Sequence, residues 1–104
     1  MRNLPKPVVF EWDKGNTEKN FKKHGITNKE AEEVFSNEPF FISEDPEHSK
    51  RELRFQALGK TNNEKLLFLS FTIRKNKVRI ISARDMSKKE RRVYEEKAEK
   101  NTKI

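Results

Sequence analysis

The densest group of residues fit for chemistry lies near the C-terminal end of the chain. Ser87, Glu90, Arg91, Arg92 and Tyr94 follow Arg84 within ten residues, with Lys88 and Lys89 among them. Arg54 and Arg79 stand earlier, each between apolar neighbours, and the two histidines are His24 and His48. These types suit phosphodiester cleavage of a substrate that carries its own nucleophile. The 2′-hydroxyl of RNA needs a base for its proton, an acid for the departing 5′-oxygen, and cations for the charge that builds on phosphorus. Arginine, histidine and tyrosine supply all three without a metal or cofactor. The chain has no cysteine, which excludes disulfides and thiolate metal sites.

Each of these residues also has a plainer reading. Strand alternation places Arg54 and Arg79 on the face opposite Phe55 and Val78, where they either clamp a phosphate or form a polar outer surface. Glu90, three residues after Ser87, completes a capping box and needs no further role. Tyr94 fits a core as well as a site. Histidine's ordinary pKa lies near neutrality, so His48, in the turn Asp45-Pro46-Glu47-His48, suits proton transfer. His24, before Gly25, is placed to interact with a helix C-terminus.

Charge supports an anionic partner. Lys and Arg number 24 against 17 Asp and Glu, a net charge of +7. Residues 74–92 hold nine bases against Asp85 and Glu90, so this one stretch carries as much net charge as the whole chain. A basic patch of that kind is the footprint of a phosphate backbone, or else a solvated helix face. Residues 30–48 hold seven acids and no Lys or Arg. No apolar run approaches the ~20 residues that span a bilayer, and the first residues lack the apolar stretch of a signal peptide. The cytoplasm is the expected compartment, with no membrane partner.

The elements that must position these residues follow from periodicity and caps. At 104 residues the chain has the length of one domain, 1–104. With 32% hydrophobic and 39% charged residues, eight phenylalanines must fill a thin core. Residues 7–12 read as a strand. Asp13 then caps a helix over 14–23, which Gly25 ends. Thr27 with Glu30 forms a capping box for a second helix, striped by Ala31, Val34 and Phe35. Strands follow over 40–43, 51–59, 66–73 and 78–83, the third of them apolar on both faces and therefore central. The spacing predicts a last helix from Ser87 to about Lys100, with residues 101–104 frayed. Its apolar seam, Val93, Tyr94 and Ala98, is narrow enough to invite completion by a partner. The expectation is an α+β domain, a strand, two helices, a three- to four-stranded antiparallel sheet and a C-terminal helix, with the helices on one face of the sheet.

Several segments in this order resemble the BrnT toxins. They are Phe10-Glu11-Trp12-Asp13, Asn20-Phe21-Lys22-Lys23-His24-Gly25, Glu30-Ala31 with Val34-Phe35, Asp45-Pro46-Glu47-His48, and Arg54-Phe55 with Gly59. The close is the most telling: Arg79-Ile80-Ile81-Ser82-Ala83-Arg84, then Glu90-Arg91 and Tyr94. The resemblance leaves residues 1–9 and 97–104 outside. It implies a RelE-like ribonuclease that cuts cellular RNA and arrests translation. It also implies neutralisation by a BrnA-like ribbon-helix-helix antitoxin, through which operator DNA is bound. Carried over residue by residue, it points to Arg84, His48, Arg54, Glu90, Arg91 and Tyr94 as catalytic. Lys23, His24 and Arg79 join the basic-segment residues Lys88, Lys89 and Arg92 as RNA-binding. The competing expectation is a non-catalytic basic module that binds nucleic acid or regulates an operon by occupancy.

Overall fold

Alternating burial organises a five-stranded sheet. The computed structural model describes residues 4, 7–12, 24–48 and 52–102. Its strands are β1 (Phe10–Glu11), β2 (Phe41–Glu44), β3 (Arg54–Lys60), β4 (Leu66–Arg74) and β5 (Lys77–Asp85). The order across the sheet is β1-β5-β4-β3-β2. On one face, Phe55, Ala57, Leu67, Leu69, Phe71, Val78, Ile80 and Ala83 are all buried. Phe35 anchors that core, with its ring 5.1 Å from Phe10, 5.0 Å from Phe40 and 5.2 Å from Phe71.

The helix α1 (Asn28–Val34) closes the core side. Thr27 caps it as the capping box requires: the Glu30 amide donates to Thr27 Oγ1, and the Thr27 amide donates to the Glu30 carboxylate. Ala31 and Val34 are buried against the sheet. A Cβ at Gly59 would come within 2.5 Å of Val34 Cγ1, so the missing side chain is what lets helix and strand approach. Trp12 Nε1 donates to Glu32 at 2.7 Å and ties the end of β1 to the helix. The acids of this segment are thus largely structural: Glu30 caps, Glu32 holds Trp12, and Glu33 accepts from the Asn62 amide.

A two-residue turn joins β4 to β5. Lys75 and Asn76 both have positive φ, the backbone twist that matches antiparallel strands. Within this hairpin the register shifts: Ser70 faces Ser82, but Phe71 faces Ile80, leaving Ile81 as a bulge. The bulge resolves a conflict of period. Val78 and Ile80 are two apart, whereas Ala83 comes an odd number of residues later. With one residue looped out, all three point into the core.

The helix α2 (Lys88–Thr102) lies against the opposite face. Ser87 and Glu90 form the second expected capping box, with bonds of 2.9 and 3.1 Å. The Tyr94 ring meets Phe41 edge-on at 5.6 Å, and Arg84 reaches Glu90. Phe41 and Arg84 belong to the sheet face turned away from Ile42 and Ala83.

The structure departs from the sequence expectation at several points. The sheet is mixed, because β1 pairs with β5 in parallel, and only Phe10 and Glu11 of the expected 7–12 strand join it. The two described helices take opposite faces, not one. The strand expected from residue 51 begins at Arg54, and Leu53 before it is exposed. The last helix continues through Thr102. The helix expected over 14–23, with its cap Asp13 and with Lys23, lies outside the described residues.

Candidate active site

The sheet face away from α1 carries a polar strip. Arg54 on β3 lies across from Thr72 on β4, and Thr72 lies across from Arg79 on β5. The two arginine backbones are thus two strand spacings apart, about 10 Å, with side chains on one face. Both are half-buried. Thr72 is buried between them, and its hydroxyl donates to the Leu53 carbonyl at 2.7 Å. Glu11 is in register with Arg79 and brings its Oε1 to 3.7 Å from Arg79 Nη1.

Ser70 and Ser82 continue the strip towards Arg84. The bulge decides which face Arg84 joins. In an unbroken strand, residues 79 and 84 would point oppositely; one looped-out residue brings both to the polar face. Along β5 they remain about 13 Å apart, four regular strand steps. The arginines therefore form two stations, Arg54 with Arg79 at one end and Arg84 at the other.

Arg84 is tightly held. Its Nη1 and Nη2 each donate to Glu90 at 2.8 Å, and its guanidinium lies 4.2 Å from the Phe68 ring centroid. The Glu90 hydrogen bonds raise the Arg84 pKa above its usual value. The Arg84 hydrogen bonds, helped by the Ser87 amide, hold Glu90 below the usual carboxylate range. An ionised carboxylate of that kind is a poor proton donor near neutrality. Its geometry fits a residue that caps α2 and positions Arg84.

The other expected site residues divide. Lys88, Lys89, Arg91 and Arg92 are exposed on the first turns of α2. Tyr94 is buried, its hydroxyl donates to the Pro39 carbonyl at 2.8 Å, and burial pushes its pKa up. That geometry fits a packing role between α2 and β2. His48 belongs to the short 3-10 turn Pro46–His48 after β2. Just before it, the Asp45 amide donates to the Arg54 carbonyl at 2.9 Å, so the turn springs from beside Arg54. His24 is half-buried, next to Gly25 at φ 69°. Among the described residues, no three of His, Cys, Asp and Glu converge on a metal-sized site. No helix among them is long and apolar enough to cross a membrane.

A family profile described as ribonuclease toxin, BrnT, of type II toxin-antitoxin system matches residues 12–90. The chain belongs to the BrnT family. The fold agrees: the crystal structure of the Brucella abortus ribonuclease toxin, BrnT, matches with a TM-score of 0.56 at 21% identity. That match covers 78% of this chain and 99% of the Brucella chain. No curated protein matches the chain. BrnT membership makes this a ribonuclease toxin of a type II toxin-antitoxin system, with RNA as substrate and an antitoxin as partner.

Nothing in the sequence pointed to Thr72 or Glu11. Glu11 meets Arg79 only because β1 runs parallel beside β5, a pairing no local pattern announces. The parity break between Ile80 and Ala83 was the one readable sign of the bulge.

Proposed function

We propose that this chain is an endoribonuclease that cuts cellular RNA by attack of its own 2′-hydroxyl, without a metal, and so arrests translation in the cytoplasm. The observation that carries this is the row Arg54, Thr72, Arg79 across three neighbouring strands, with Arg84 on the same face. Two guanidiniums about 10 Å apart at the backbone can converge on one phosphate from either side. As charge develops on the phosphorane, both strengthen their hold, which lowers the barrier. His48 is the proposed proton-transfer group, carried by the turn that starts beside Arg54. Arg84, fixed by Glu90, holds the strand further along, and Lys88, Lys89, Arg91 and Arg92 draw RNA towards the face. A ribbon-helix-helix antitoxin covering this face would block it and link the pair to operator DNA.

The test is incubation of the purified chain, freed of any partner, with total bacterial RNA in EDTA. Wild type is expected to cleave, and Arg54→Ala and Arg79→Ala each to slow cleavage by about a hundredfold. His48→Ala is expected to be as severe. Intact RNA from a folded sample, with strongly salt-dependent binding, would establish the occupancy reading instead.

A further inference from the structure

A groove of about 360 Å³ runs between α2 and the β2–β4 part of the polar face. Its floor is formed by Phe41, Leu58 and Phe68, in register across β2, β3 and β4, with the Arg84 guanidinium on the Phe68 ring. Ser43 and Gln56, side by side across β2 and β3, present a hydroxyl and an amide to it. Lys89 and Lys97 stand on its helix side, with the Lys97 ammonium 5.6 Å from the Phe41 ring centroid. The reaction proposed above assigns this groove no role.

We propose that the groove is a nucleobase subsite, in which one RNA base stacks on the Phe41 ring, beside Leu58, while Gln56 and Ser43 read its edge. The proposal rests on the ribonuclease reading and extends it to sequence preference. Three features favour a base over a peptide side chain. Aromatic surface beside a side-chain amide is the combination by which proteins recognise unstacked bases. Two lysines at the margin, with Arg84 adjoining, complement the phosphates on either side of such a base. Gln56 also stands two residues from Arg54 on β3 and on the same face, about 7 Å along the strand. That separation places the groove next to the phosphate station, where an adjoining nucleotide would reach.

The test has two arms. In the first, each of the four ribonucleoside 3′-monophosphates is titrated into isotope-labelled full chain and backbone amide shifts are followed. Saturable shifts at Phe41, Gln56, Phe68 and Lys97, with one base preferred about fivefold, are expected, the worth of one or two neutral hydrogen bonds. Shifts confined to Arg54 and Arg79, equal for all four bases, would overturn the subsite. In the second, cut sites in a random-sequence RNA are mapped for wild type, Gln56→Ala and the surface variant Lys97→Ala. Gln56→Ala is expected to flatten the preference at one position next to the cut by about fivefold. Lys97→Ala is expected to weaken binding without changing the preferred base. Cut sites in unchanged proportions with Gln56→Ala would refute base reading while leaving the ribonuclease standing. Intact RNA together with nucleotide shifts in the groove would do the reverse.

Discussion

Replacing Glu90 with Gln tests whether one carboxylate really holds the start of α2 to the sheet. Glu90 does two jobs. It accepts the Ser87 amide at 2.9 Å, and it accepts both guanidinium nitrogens of Arg84 at 2.8 Å. Glutamine keeps the size, but its amide has one oxygen and turns a donor towards Arg84. The cap contributes about 0.5–1 kcal/mol. The ion pair would be worth about 1.5–3 kcal/mol if sheltered, yet its side chains are 37% and 24% exposed, so about 1 kcal/mol is the reasonable share. The expected loss is about 1–2 kcal/mol, or roughly 5–12 °C in Tm for a domain this size. The pH dependence has a definite sign. Glu90 is lowered in the folded chain, chiefly by Arg84, so its stabilisation is present above the unfolded value of about 4.3 and is lost as pH falls through the folded one. Thermal melts followed by circular dichroism should therefore show a full gap between wild type and Glu90→Gln at pH 6–7, closing below about pH 4. Ser87→Ala removes the bond that Ser87 Oγ accepts from the Glu90 amide, keeps the residue-87 amide on Glu90, and should leave most of the pH-dependent part intact. A Glu90→Gln Tm equal to wild type at pH 7, or a gap that persists unchanged to pH 3, would refute the latch.

Other perturbations probe separate parts of the structure. Gly59→Ala should cost about 1–3 kcal/mol in urea denaturation, because its Cβ meets Val34 at 2.5 Å and Phe40 at 3.2 Å; a neutral result would mean α1 sits farther off. Tyr94→Phe should lose about 1 kcal/mol with its bond to Pro39, yet still cleave RNA at near wild-type rate. Loss of cleavage in that folded variant would place Tyr94 in the site. Arg79→Ala and Arg54→Ala should each reduce the salt slope of RNA binding by about one, measured by fluorescence anisotropy across ionic strengths. Slopes like wild type would take both residues off the phosphate.

Much of this protein was legible in the chain itself. Both capping boxes formed where Thr27–Glu30 and Ser87–Glu90 predicted them, because caps involve neighbours three residues apart. The central place of β4 followed from its apolar run, and the shared face of Arg54 and Arg79 from strict alternation. Motif order alone pointed to the BrnT family. The parallel pairing of β1 with β5, the placement of α2 on the face opposite α1, and the grip of Glu90 on Arg84 came only with the tertiary structure. The burial of Tyr94 did too, since it depends on Phe41 and Pro39, more than fifty residues away. Local rules decide caps, periods and turns because their partners are close along the chain. The placement of Arg84 was decided otherwise, by one looped-out residue in β5 that satisfies the core and, in doing so, turns Arg84 to the face that Arg79 already occupied.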